Sequence, residues 1–182
     1  MTAYAFTLFD TPIGTCGLAW RERGIVSLQL PEVEPSRTRS RLASRFPNAK
    51  EIEPPEMIRT VIADIVALLQ GERRDLTAAV LDMEGVPEQH RRVYEVARTI
   101  PPGRVLTYGE IASRLGIDDP RQIGQALGRN PFAIIVPCHR VVGADGKLGG
   151  FSAGGGTMTK RRILEIEGAR RDDTPTLFDW AS

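Results

Sequence analysis

Short runs of β-branched and aromatic residues open the chain, at 4–9, 15–20 and 25–30, broken by Asp10-Thr11-Pro12-Ile13-Gly14 and by Arg21-Glu22-Arg23-Gly24. Runs of this length separated by turn-forming residues predict an antiparallel meander. The apolar period then lengthens to about 3.6, the helical value. One helix is expected over 36–46, capped by the Ser36 hydroxyl and closed by Pro47. A second is expected over 55–69, with Ile58, Ile62, Ile65, Leu68 and Leu69 on one face and Gly71 just past its end. The polar stretch 71–87, with one strand-like segment at 76–81, reads as a linker between an α/β half and a mostly helical half.

Beyond the linker, 87–99 predicts a helix with Val93, Val96, Ala97 and Ile100 turned inward, ended by Ile100-Pro101-Pro102-Gly103. Thr107 then caps a short helix, Tyr108–Leu115, and Glu110 three residues on completes a capping box. After Gly116-Ile117-Asp118-Asp119, Pro120 opens another helix to about Gly128. Two short helices joined in this way make a helix-turn-helix, a unit used for packing as well as for binding DNA. The second helix carries Arg121 in its first turn and small residues, Gly124, Ala126 and Gly128, along its length, which lets another backbone come close. A glycine-dense loop, 143–156, leads to a final helix over 159–167.

Composition is that of a globular protein: 182 residues, 41% hydrophobic and 26% charged. No apolar run approaches the roughly 18 residues of a membrane span, and the first residues lack the pattern of a secretory signal. Two distant cysteines, Cys16 and Cys138, make no disulfide framework, so a cytoplasmic location and no membrane partner are expected. Without a CxxC pair no structural zinc site is expected either. The net charge of +1 hides an asymmetry: residues 1–86 carry 10 basic and 12 acidic side chains, residues 87–171 carry 14 and 8, and residues 172–182 carry three aspartates and no base. A basic second half suits a phosphate-bearing partner, and also an ordinary solvated face.

The candidate chemistry lies at Ile134-Ile135-Val136-Pro137-Cys138-His139-Arg140-Val141-Val142. A packed core cysteine needs neither the proline before it nor the His-Arg after it. Proline presents the thiol at a turn, and the next two residues bring a base and a positive charge. A thiol is only partly ionised at neutral pH, so a nucleophilic cysteine needs such help. Consecutive side chains point apart, which makes a water the easier bridge from Cys138 to His139. The histidine in turn needs an acceptor on its far nitrogen, and the last helix offers two carboxylates, Glu165 and Glu167. No spacing matches a P-loop, a dinucleotide fingerprint or a metal-binding helix.

Pro137-Cys138-His139-Arg140-Val141, with Gly128-Arg129-Asn130-Pro131 before it and Gly149-Gly150-Phe151-Ser152 after it, resembles the O6-alkylguanine-DNA alkyltransferases, also called methylated-DNA–protein-cysteine methyltransferases. Ile100-Pro101-Pro102-Gly103 and Thr107-Tyr108-Gly109-Glu110-Ile111-Ala112 are a second signature of that family, and the resemblance covers about residues 88–168. It implies a small N-terminal antiparallel-sheet α/β domain of RNase H-like type over 1–86. A helical, winged-helix-like catalytic and DNA-binding domain would follow over 87–171, then an acidic tail over 172–182. It also implies a cofactor-free, metal-free monomer that acts once, taking an alkyl group from O6 of guanine, with O4 of thymine a further candidate, in duplex DNA.

Carried over residue by residue, Cys138 would accept the alkyl group, His139 would deprotonate it through water, Glu167 would orient the histidine and Asn130 would fix the turn. Tyr108 and Arg121 would rotate the nucleotide out and fill its place, with Gly124 and Ala126 against the minor groove. Tyr108, Val141, Phe151, Ser152 and Lys160 would contact the flipped base. Phe151 stands where many relatives carry tyrosine, and the zinc ligands of mammalian members have no counterpart. Two other readings compete. One is a lesion-binding protein that recognises but transfers poorly and works through a repair partner, and the family's members that only sense lesions lack the cysteine. The other is a cysteine hydrolase built on Cys138, His139 and Glu167. The acidic tail holds Leu177-Phe178, a candidate docking segment for a protein partner.

Overall fold

The expected meander forms from β1 (Ala5–Thr11), β2 (Gly14–Arg21) and β3 (Gly24–Gln29), paired antiparallel in that order. It belongs to a computed structural model that describes residues 3–148 and 156–169. The sheet is mixed rather than purely antiparallel, because β4 (Lys50–Glu51) adds parallel to β1 and gives the order β3-β2-β1-β4. Two exposed polar residues carry no alternation, and backbone bonds alone place them: Lys50 N–H on the Tyr4 carbonyl and Ile52 N–H on that of Phe6, both 3.1 Å.

Successive residues of the sheet face opposite layers, as strand geometry requires. On one side α1 (Pro35–Arg45) packs Leu42 against Phe6 and Ala19. It approaches so closely that a Cβ on Gly17 would stand 2.3 Å from Leu42 Cδ1. The Ser36 cap does not form. Pro35 starts the helix one residue earlier, Glu34 takes the N-cap position without a side-chain bond, and the Ser36 hydroxyl donates to the Glu34 carboxylate. On the other side α2 (Glu56–Leu69) buries Ile58, Val61, Ile65, Leu68 and Leu69, so Val61 takes the core place expected of Ile62.

The stretch 71–87 contains no strand, only a single bridge between Leu81 and Ile25. It nevertheless docks firmly. Ile25 N–H donates to the Val80 carbonyl at 2.9 Å, and Asp82 N–H to that of Ile25 at 2.8 Å. Gly24, with φ +135°, permits this approach, since a Cβ there would lie 2.7 Å from the Val80 oxygen. Further along the same edge, Leu28 N–H donates to the Pro131 carbonyl. The outer strand β3 is therefore covered, as exposed edges generally are in stable proteins.

In the second half, α3 (Glu88–Arg98) buries Val93, Tyr94 and Ala97 against α4 (Tyr108–Leu115) and α5 (Arg121–Gly128). Val96 lies only at the margin of that core. The Tyr94 hydroxyl donates to the Ala126 carbonyl at 2.9 Å, and its ring meets Phe132 edge-on. A small parallel pair, β5 (Leu106–Thr107) and β6 (Val141–Val142), ties the start of α4 to the cysteine segment. The last helix, α6 (Thr157–Ile166), begins two residues before the expected start. One continuous cluster of buried side chains runs from Leu18, Trp20 and Ile65 to Tyr94, Ile111, Phe132 and Cys138. Among the described residues no helix is long and apolar enough to cross a membrane.

Candidate active site and nucleic-acid interface

The segment before the cysteine is closed on itself by one side chain. Asn130 Nδ2 donates to the Val136 carbonyl and Asn130 Oδ1 accepts from Phe132 N–H, both at 2.9 Å. Within that clasp Ile134 has φ +68°, a left-handed conformation that costs a β-branched residue about 1–2 kcal/mol. It persists because Ile134 is almost fully buried and its neighbours are bonded around it: Val136 N–H reaches the Phe132 carbonyl, and Ile135 N–H that of Ala133. Pro137 then leads into a 3-10 turn, Cys138–Arg140, in which all three side chains are buried. The thiol does stand at a turn, held from both sides.

Glu167 sits at the C-terminal cap of α6 and gathers this turn. His139 Nε2 lies 2.9 Å from Glu167 Oε1, and Arg140 donates to both carboxylate oxygens, from Nε at 3.0 Å and Nη2 at 2.8 Å. A third Arg140 bond, from Nη1, reaches the Ile100 carbonyl at 2.6 Å. Sequence reasoning assigned Arg140 only a positive charge near the thiol. Its bonds instead make it the counter-ion of Glu167 and a tie to the end of α3. Burial alone would raise the Glu167 carboxyl, but the charge and hydrogen bonds of His139 and Arg140 hold it at about 2. The other candidate carboxylate, Glu165, pairs on the surface with Arg161.

Because Glu167 is ionised, it accepts, and the proton of the neutral His139 ring resides on Nε2. Nδ1 is left with its lone pair, buried and without a hydrogen-bond partner among the described residues. Burial pushes His139 below the ordinary imidazole range, against the pull of Glu167, so the ring is neutral at physiological pH. Burial also raises the Cys138 thiol, opposed by its hydrogen bond with Asn130 and by the charge of Lys160. The resting thiol is therefore protonated, with an imidazole of fixed tautomer on the next residue. The Cys16 thiol differs: fully buried within β2 and pushed up to about 12 by desolvation, it is bonded only to the Thr11 hydroxyl among the described residues.

Lys160, expected among substrate contacts, is almost fully buried and donates from Nζ to the Val141 carbonyl at 2.6 Å. Its ammonium lies 5.9 Å from the centre of the Tyr108 ring. Tyr108 is the first residue of α4, fixed there by the predicted capping box: Glu110 N–H donates to Thr107 Oγ1 at 3.1 Å, and Thr107 N–H to Glu110 Oε2 at 2.6 Å. Its ring is also the neighbour of α5, since a Cβ on Gly124 would meet Tyr108 Cε1 at 3.8 Å. One aromatic side chain thus touches the helix-turn-helix and the lysine beside the thiol. Beside Cys138 itself lies a cavity of about 140 Å³, bounded by Leu30, Leu127, Asn130 and Ala133.

On α5, Arg121 projects into solvent with its side chain 87% exposed, held in the first turn by bonds of 3.0 Å to Asp119. Gln122, Gln125 and Arg129 share the exposed surface. Ala126 does not. It is completely buried, its carbonyl taken by Tyr94, because the helix turns this position toward α3; the expectation that it faces a groove is corrected. Phe151, Ser152 and the Leu177-Phe178 segment lie outside the described residues. Among those described, no group of His, Cys, Asp and Glu is arranged to hold a metal ion.

Residues 88–169 match the family described as 6-O-methylguanine DNA methyltransferase, DNA binding domain. The chain is 38% identical over 177 residues to a methylated-DNA–protein-cysteine methyltransferase of Mycobacterium tuberculosis, covering 96% of this chain and 98% of the relative. It is 38% identical over 138 residues to a DNA base-flipping protein of Thermus thermophilus, covering 76% and 91%. The crystal structure of Mycobacterium tuberculosis OGT in complex with DNA superposes with a TM-score of 0.72 at 34% identity, covering 96% of this chain and 99% of that one.

Proposed function

The chain belongs to the methylated-DNA–protein-cysteine methyltransferases, which repair DNA by direct alkyl transfer, and we propose that it does so with Cys138 as the acceptor and His139, aligned by Glu167, as the base. The observation that carries this assignment is the buried turn in which the protonated thiol adjoins an imidazole whose Nε2–H is committed to Glu167. A water between His139 Nδ1 and Cys138 would pass the thiol proton to the ring. The thiolate then attacks the alkyl carbon in line. The S–C bond forms as the C–O6 bond breaks, its electron pair leaves with the guanine oxygen, and the guanine anion takes up one proton at N1, which balances the one the thiol released to His139. The thioether left on Cys138 is not hydrolysed, so each molecule acts once and no cofactor is consumed.

Alkylated guanine inside a duplex is out of reach of a buried thiol, so the base must leave the stack at a cost of a few kcal/mol. The exposed Arg121 is placed to enter the duplex from the minor groove and fill the gap, with Gly124 allowing close approach of α5. Tyr108 lies between that helix and the thiol, suited to turning the nucleotide and donating to guanine N3. Lys160 occupies one lone pair of the Val141 carbonyl and leaves the other for the base. Phe151 and Ser152 are assigned to the pocket wall by their place in the family motif. The order β3-β2-β1-β4, with only β4 parallel, supports an RNase H-like scaffold over 1–86, and α3–α5 with the β5–β6 pair support a winged-helix-like unit over 87–171.

Intact mass after mixing equimolar protein with duplex DNA carrying one O6-methylguanine tests the proposal. One added methyl on Cys138, saturating at one per protein, is expected. Cys138→Ala is expected to keep lesion binding and lose transfer; transfer by that variant would refute the assignment. Similarity to a base-flipping protein favours a second reading, tight lesion binding without transfer, which unchanged mass would support. Arg121→Ala is expected to slow repair in duplex far more than reaction with free O6-benzylguanine, and equal slowing would remove its flipping role.

A further inference from the structure

A second cavity, of about 330 Å³, opens where the stretch after α2 meets the end of α3, away from the thiol. Four arginines line it, Arg73, Arg74, Arg98 and Arg140, against a single carboxylate, Asp75. Two of the four are committed elsewhere: Arg74 to Glu72 at 2.7 Å, and Arg140 to Glu167 and the Ile100 carbonyl. The other two have no carboxylate bonded to them among the described residues. Arg98 spends Nη2 on the carbonyls of Leu76, Thr77 and Ala79, which are neutral acceptors. Arg73 makes no hydrogen bond or ion pair among the described residues, and its guanidinium lies near Gly103, where a Cβ would be 3.7 Å from Nη2. Asp75 carries one negative charge against these two positive ones, and one of its oxygens also accepts from Thr77 N–H at 2.8 Å.

Two guanidinium charges on one wall, one of them without any bond among the described residues, call for an acceptor that carries negative charge. A tetrahedral oxyanion meets both at once, since it offers several oxygens in different directions, while Ile100 and Ile134 give the wall an apolar part suited to an ester substituent. We propose that this cavity is a binding site for a phosphate group, held by the Arg73 and Arg98 guanidinium groups. The site is separate from the guanine pocket and does not depend on the alkyl-transfer reading.

Titration of inorganic phosphate with the full chain, read by 31P line broadening at constant ionic strength, tests it. Saturable binding is expected, weakened about tenfold or more by Arg73→Glu, as for loss of one charge-assisted hydrogen bond. Arg73 is exposed and free of internal bonds, so the variant folds; an unchanged melting temperature verifies that. Arg37→Glu, an exposed arginine on α1, is expected to leave phosphate binding intact. If Arg73→Glu also weakens binding to undamaged duplex and lowers its salt dependence, the phosphate is that of the DNA backbone. If duplex affinity is unchanged, the ligand is a free phosphate or phosphate monoester. Absence of saturable broadening, or equal broadening with Arg73→Glu, overturns the proposal.

Discussion

As the proposed acceptor, Cys138 meets two opposed requirements: burial keeps its thiol protonated, and transfer needs the thiolate. The proposed mechanism resolves the conflict with His139, whose neutral form burial also favours and whose tautomer Glu167 fixes. Glu167→Gln removes the charge that orients the ring and leaves Arg140 unneutralised. We expect single-turnover transfer to fall on the order of 100-fold, the usual worth of a positioned base. Because His139 titrates below its ordinary 6.5, wild-type transfer should persist below that pH and decline only in stronger acid. A variant with the wild-type rate and pH dependence would show that the Glu167 contact is purely structural. Stability follows the same sign. The part tied to neutral His139 is complete above 6.5 and falls with acid, and that tied to Glu167 is complete above 4.5 and lost as pH drops toward about 2. The Pro-Cys-His-Arg run was legible because each residue carries its chemistry in its type. Arg140 was misjudged because its partner, Glu167, is 27 residues away, and only the fold shows which carboxylate it meets.

Elements were legible where a local interaction decides them. The capping box at Thr107 and Glu110 has its donors and acceptors within four consecutive residues, so sequence and structure agree on α4 to the residue. At Ser36 an equally good capping side chain lost to Pro35, whose fixed φ and missing N–H suit the first helical turn better. The short strands β4, β5 and β6 left no pattern, since two residues cannot show alternation and their pairing partners are remote. Ala126 was placed on the wrong face of α5 because small size alone does not distinguish a groove-facing residue from one packed under Tyr94. The cap at Thr107 also sets the start of α4 and therefore the position of the Tyr108 ring. Thr107→Ala is expected to lower unfolding free energy by about 1 kcal/mol in urea. It should also slow repair in duplex, because the tyrosine then lacks a fixed base. A loss of stability with no effect on repair would separate the cap from the function.

At the scale of the whole molecule, composition and patterning indicated two halves joined by a polar linker over 71–87. That segment is polar because it lies at the surface, but it is fastened at both sides. Arg98 holds three of its carbonyls, and Asp82 forms a buried ion pair with Arg21 of β2, which also reaches Glu84. Its own Leu76 and Ala79 are buried, and the apolar cluster continues from the sheet into α3–α5 and Cys138. Side-chain continuity of this kind couples the stability of the halves, whatever their separate roles. Native-state hydrogen exchange is therefore expected to give the same opening free energy for the slowest amides of β2 and of α3. Asp82→Ala leaves Arg21 with only the more exposed Glu84, and it should lower both values together, because the tie between β2 and the segment is lost from both halves at once. If the β2 amides were destabilised and those of α3 unchanged, the halves would be independent folding units, and the cysteine turn would owe nothing to the sheet that lies against it.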